Sequence, residues 1–189
     1  MARDEALIIS EELFRALSPV SGDLDWEYIW PIILAASDKW IQPALGQKLY
    51  EKLMTDIKAA SLSGNYQDLV EDYVARTTVW FTCYMGFPFW GIKVVNSGIM
   101  QRIVDDGTTI GFNDIDKLAE QCRGQAEFYK QRLIEYLCAN NKLFPEYSSN
   151  KSGEIGSEKI NYSGGLNLET YTKKRTGITV YDYLRGWLD

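Results

Sequence analysis

The sequence predicts an all-α fold: a helical bundle of about five helices followed by an extended C-terminal arm that contains a short β-strand. Three observations predict it. Apolar residues recur at three- and four-residue spacing through most of residues 4–141, which is the pattern of helices that bury one face. Residues 148–165 then hold five Ser and four Gly, the composition of an extended linker. Beyond them Ile178-Thr179-Val180-Tyr181-Asp182-Tyr183-Leu184 is rich in β-branched and aromatic types, which favour extended backbone. The chain divides accordingly into a bundle domain, 1–147, and a linker with its arm, 148–189.

Taken in order, residues 4–17 carry Leu7, Ile8, Leu13, Phe14 and Leu17 near one helical face, and Ser18-Pro19 ends that run,. Asp25 is placed to cap a second helix through Lys39 or Trp40, with Trp26, Ile29, Ile33, Ala36 and Trp40 as its stripe,. Pro31 lies inside it, so the helix is expected to kink there or to start near Trp30, with 26 the preferred start. Ile41-Gln42-Pro43 breaks the pattern, and a third helix follows through Leu45, Leu49, Leu53 and Ile57. Pro43 would start that helix, and Gly46 would let two helices approach. A fourth helix takes 66–85, with Leu69, Tyr73, Val74, Thr77, Trp80 and Phe81 on or near one face, until Gly86-Phe87-Pro88 stops it. Residues 92–104 read as a short helix before the turn Asp105-Asp106-Gly107. A long fifth helix then runs to Asn140-Asn141, capped by Asn113 or Asp114, with Leu118, Cys122, Gln125, Tyr129, Leu133, Tyr136 and Leu137 as its stripe,.

Composition bounds the function. The 189 residues include no histidine, which removes the commonest general base, the histidine-containing triads and the histidine-ligated metal sites. The formal net charge is -6 and the pI about 4.8, a poor balance for a free-standing nucleic-acid binder. That charge divides unevenly: residues 1–141 hold 13 basic and 20 acidic side chains, net -7, and 142–189 hold 7 and 6, net +1. Six Trp, twelve Tyr and seven Phe exceed what a modest core needs, and such residues anchor protein interfaces. Cys83, Cys122 and Cys138 are odd in number and widely spaced, so buried thiols in a reducing compartment are expected rather than disulfides or a metal site. Acids near the start oppose a signal peptide, and the longest uncharged run, between Arg76 and Lys93, is too short to span a bilayer,.

Few residues carry candidate chemistry. Asp105-Asp106 and Asp114-x-Asp116 are the close acidic pairs in turn contexts. Neither has the further oxygen ligands of a calcium loop, and turn or cap duty accounts for both. Lys173-Lys174-Arg175 is the one basic cluster, read as a solvated turn. No dinucleotide, Walker or nucleophile-elbow motif occurs. Neither a cofactor nor a catalytic or metal site is expected, and the chain is read as non-enzymatic. The segment from Trp80 to Trp90 is densest in aromatic rings, more than a small bundle can bury, so subunit contacts are expected of the remainder.

Two phrases carry a resemblance. Ala35-x-x-Asp38-x-x-Ile41-x-Pro43-x-Leu45-Gly46-x-x-Leu49-Tyr50-x-x-Leu53 resembles the opening helices of head-to-tail connector (adaptor) proteins of tailed bacteriophages. Tyr136-Leu137-x-x-Asn140-x-x-x-Phe144-Pro145-Glu146-Tyr147 is similar to the end of the helical core in such proteins from phages of Bacteroidetes hosts, including ring proteins of crAss-like phages. The likeness spans 25–147. It implies a homo-oligomeric ring of about twelve copies in the virion neck, joining the portal protein to an adjacent tail or second ring protein. Genomic DNA would pass through the channel without sequence-specific binding, and the protein would be made in the host cytoplasm. On that expectation Trp26, Trp30 and Trp90 contribute lateral contacts. The tail residues Ile178, Val180, Tyr181, Tyr183 and Trp187 add to a neighbour's sheet or pair among themselves. A small carboxylate-based hydrolase, such as a lytic enzyme, and a host-directed binding module are the competing readings.

Overall fold

The computed structural model describes residues 6–20, 24–95, 98–101, 111–149 and 154–159. Within them the chain is an all-α bundle, as expected. It has eight α-helices, four of which are joined by two π-helical turns into two longer rods, leaving six rods. A single β-hairpin is added among the described residues. The expected strand at 178–184 lies outside those residues.

Helix α1 is Glu11–Leu17, shorter than the expected run. Ser10 caps it by accepting a hydrogen bond from the Leu13 N–H at 3.2 Å, and the Glu11 and Arg15 side chains pair at 2.7 Å, acid first and base last as the helix dipole favours. Ile8 and Ile9 are buried although they precede the helix.

Helix α2, Trp26–Ala36, begins where expected, with Asp25 in the capping position. The Asp25 side chain makes no capping bond; its carbonyl accepts the Tyr28 N–H at 3.0 Å. Pro31 sits inside the helix and withholds one early hydrogen bond. The expected break at Ile41-Gln42-Pro43 does not occur. A π-helical turn, Ser37–Ile41, leads into α3, Gln42–Leu45, whose first turn accommodates Pro43. The chain bends three residues later, at Gly46, where φ is 77° and ψ 157°, a conformation open essentially to glycine. Gly46 therefore forms an elbow between α3 and α4, Gln47–Lys58. Leu45, Leu49 and Leu53 are buried, as the spacing predicts.

Helix α5, Asn65–Leu69, a second π turn, Val70–Val74, and α6, Ala75–Trp90, form the next rod. The expected stop at Gly86-Phe87-Pro88 is corrected: the helix continues to Trp90. Pro88 lies in the last turn, where it withholds the N–H that would reach the Tyr84 carbonyl,, and the Gly91 N–H closes the helix on the Phe87 carbonyl at 3.3 Å. Helix α6 packs against α1, α2 and α7. Being enclosed, it carries buried Thr77, Thr78 and Thr82, whose hydroxyls donate to the carbonyls of Tyr73, Val74 and Thr78, so each of the three is paired within the core.

Residues 92–104 were expected to be helical. The structure instead pairs β1, Ile92–Val95, with β2, Gly98–Gln101, antiparallel, with Ile92 opposite Gln101 and Val95 opposite Gly98. Three of the four β1 residues are β-branched, which explains the extended backbone. The long fifth helix is present as α7, Phe112–Ala139. Its capping position is Gly111, not Asn113 or Asp114, and Asp114 lies in the first turn. Its buried stripe agrees in part: Cys122, Leu133 and Leu137 are buried as expected and Ala119, Ala126 and Ile134 join them, whereas Leu118 and Gln125 face out. Small side chains at 119, 122 and 126 let α7 lie close to α6. Helix α8, Pro145–Ser148, buries Tyr147 and ends the bundle.

Residues 154–159, expected within the linker, lie on the bundle. The Ile155 carbonyl accepts the Gln47 N–H at 2.9 Å, and the Glu158 N–H donates to the Pro43 carbonyl at 3.0 Å.

Candidate interaction surface

Chemistry-bearing side chains are scattered. Asp114 pairs with Lys117 at 2.9 Å on the exposed start of α7, and Asp116 borders a shallow hollow with Lys117, Glu120 and Gln121. Among the described residues no group of three or more Cys, Asp or Glu side chains could hold a metal ion. Asp105, Asp106 and the cluster Lys173-Lys174-Arg175 lie outside the described residues. Cys83 and Cys122 are buried and Cys138 partly so. Burial, and secondarily the neighbouring Cys122, pushes the Cys83 thiol far above its ordinary range; burial also raises Cys122. Thiols held protonated are poor nucleophiles. Cys138 Sγ lies 3.6 Å from the Tyr147 hydroxyl, and burial, then that contact, raises the Tyr147 phenol.

The aromatic rings are better organised. Trp40 stacks on Phe81 with centroids 4.5 Å apart and meets Tyr84 edge-on at 5.8 Å. Lys39 Nζ lies 4.5 Å from the Trp40 centroid, and the Arg123 guanidinium lies 5.9 Å from that of Tyr84. Of the expected contact residues, Trp26, Trp30 and Trp90 are all half-buried. Trp26 meets buried Phe14 edge-on at 6.3 Å. The Trp90 ring covers Gly86, where an added Cβ would come within 2.3 Å of Cζ2. Its indole N–H donates to the Tyr28 carbonyl at 3.2 Å. That bond ties the start of α2 to the end of α6. Tyr28, 55% exposed, and Phe89, 58% exposed, therefore share one end of the bundle with Trp90.

A second exposed ring stands apart from that end. Gly91, just past α6, lies against Ile115 in the first turns of α7, a Cβ there meeting Ile115 Cδ1 at 2.9 Å. The two helices thus run antiparallel, and Phe128, 55% exposed, is 13 residues farther along α7, about 20 Å from the Trp90 end. The Arg132 guanidinium lies 5.9 Å from the Phe128 centroid. Tyr28, Phe89 and Phe128 were not among the expected contacts. The true stripes point to Tyr28 and Phe128: Tyr28 is one position off Ile29, and Phe128 is two positions past Ala126, which turns it away from α6. Ile178, Val180, Tyr181, Tyr183 and Trp187 lie outside the described residues.

A profile described as a family of unknown function, DUF6712, matches residues 41–157, more than half of the chain. The chain belongs to DUF6712. No curated protein and no solved structure matches it. The DUF6712 match starts at Ile41, the last residue of the first π turn, takes in the Gly46 elbow, α4, α6 and α7, and ends at Ser157 on the segment that closes the elbow. The match therefore contains Phe89, Trp90 and Phe128 but not Trp26, Tyr28 or Trp30. No helix of the described DUF6712 residues is long and apolar enough to cross a membrane.

Proposed function

We propose that this DUF6712 chain is a structural, non-enzymatic virion subunit of a tailed phage, a connector that assembles into a ring in the neck between portal and tail. What carries the proposal is the placement of exposed rings in two separated patches, Tyr28 and Phe89 at the α2–α6 end and Phe128 about 20 Å away along α7,. A closed ring needs two different patches per subunit, because each interface joins one face of a copy to another face of the next. Large aromatic side chains are the residues that contribute most at such contacts. The acidic balance of the bundle suits a DNA passage, since like charge discourages the duplex from adhering. The resemblance of the Pro43-x-Leu45-Gly46 and Phe144-Pro145-Glu146-Tyr147 phrases to connector proteins, and the helical bundle those phrases imply, point the same way.

Mass measurement by light scattering and negative-stain imaging of the purified chain, alone and mixed with portal protein, test the proposal. Rings, or stoichiometric complexes with portal, are the expected result. A monomer that ignores both portal and tail proteins would overturn it.

A further inference from the structure

The Gly46 elbow leaves backbone groups without helical partners. Gln47 begins α4, so its N–H has no intrahelical acceptor, and the Pro43 carbonyl lies at the end of α3, where the turn is not continued,. Both are taken up by one short segment. The Ile155 carbonyl accepts the Gln47 N–H at 2.9 Å, and the Glu158 N–H reaches the Pro43 carbonyl at 3.0 Å. Side chains add to the same seam: the Ile155 N–H donates to Gln47 Oε1 at 3.3 Å, and the Ser157 hydroxyl to the Tyr147 carbonyl at 2.8 Å. The Tyr147 hydroxyl donates to the Glu158 carbonyl. Lys130 pairs with Glu158 at 3.0 Å and Lys48 with Glu154 at 3.7 Å.

The segment buries little apolar surface. Ile155 is 44% exposed, and Gly156 and Lys159 are exposed. Contacts that are almost all polar, at the surface, open locally far more readily than a packed core. We propose that residues 154–159 are a releasable strap that sets the α3–α4 elbow, so that strap release and loss of the elbow's hydrogen bonds are one event. The chain continues from Lys159 into residues 160–189, so a partner that takes hold of that tail pulls first on Glu158 and, through it, on the elbow. Coupling of strap to elbow belongs to the isolated chain and stands whether or not the ring proposal does.

Amide hydrogen exchange of the full chain, read residue by residue by NMR, tests it. The Gln47 amide is the decisive probe, because its N–H donates to the strap while its residue belongs to the elbow. Two variants loosen the strap from different sides. Tyr147→Phe keeps the buried ring and removes the hydroxyl donor, and Lys130→Met removes the ion pair to Glu158 at the surface. In each, the amides of Gln47, Ile155 and Glu158 are expected to exchange faster by the same factor, about threefold to tenfold, with α6 amides unchanged. Acceleration at Ile155 and Glu158 with Gln47 unchanged overturns the coupling. Equal acceleration in α6 overturns local release, and unchanged rates in both variants overturn the strap itself.

Discussion

Tyr66 shows how one side chain ties distant parts of the chain together and what that does to its ionisation. Its hydroxyl donates to Glu146 Oε2 at 2.8 Å, and its ring meets Phe144 edge-on at 5.3 Å. Burial first, then the hydrogen bond and charge of Glu146, push its phenol up from 10.0 to about 12. The sign follows from which state ionises first. Below pH 10 the phenol is neutral in both states and the contact is intact. Between 10 and 12 the unfolded chain ionises while the folded chain resists, so folding stability falls across that window. Tyr66→Phe should lower stability near neutral pH by about 1 kcal/mol through loss of the hydrogen bond. It should also make the alkaline fall shallower in denaturation midpoints measured from pH 8 to 12. Some fall remains, because burial also raises Tyr136 and Tyr147. An alkaline slope identical to that of the parent chain would show that the Tyr66 phenol is not held by this contact.

At the scale of elements, the sequence was most legible where helices are regular. The Leu45, Leu49 and Leu53 stripe and the length of α7 follow from spacing alone. The π turns do not, since each adds a residue that periodicity at 3.6 cannot register. In the α2–α3 rod Ser37 and Ile41 are the buried residues of the π turn, and Trp40, expected on the stripe, is half-buried and stacks on Phe81. At the end of α6, Trp90, an expected contact, is half-buried, with its ring over Gly86 and its indole N–H on the Tyr28 carbonyl, and the more exposed Phe89 lies beside it. On α7 Cys122 is buried as expected, and the small residues Ala119 and Ala126 complete that face in place of Leu118 and Gln125. A pair of variants separates the two stripes. Ala126→Leu forces extra volume between α6 and α7 and should cost about 1–3 kcal/mol in chemical denaturation. Leu118→Ala, at 39% exposure, should fall within about 0.5 kcal/mol of the parent. Reversed magnitudes would restore the stripe through Leu118 and Gln125.

At the scale of the whole molecule, the strap moves the edge of the folded body beyond α8. A chain ended after Tyr147 loses Ile155 and Glu158 along with the tail, whereas one ended after Lys159 keeps the elbow closed. If the tail adds to the body contacts in assembly, as the resemblance to connector proteins implies, the two truncations separate folding from assembly. At a concentration low enough for both to be monomeric, the chain ended after Lys159 should unfold at the same denaturant midpoint as the full chain, yet at higher concentration it should sediment as a smaller species. The chain ended after Tyr147 should also assemble poorly and, in addition, lose about 2 kcal/mol, because the Gln47 N–H, the Pro43 carbonyl and the Tyr147 hydroxyl exchange protein partners for water. Sedimentation velocity with parallel denaturation curves measures both quantities on the same preparations. Full-size assemblies from the chain ended after Lys159 would remove the tail from the assembly mechanism. The contacts would then have to lie on the body, at Tyr28, Phe89 and Phe128, and replacing Phe128 with Ser in that shortened chain should break the assembly without moving the unfolding midpoint, since a ring 55% exposed contributes little to the core,.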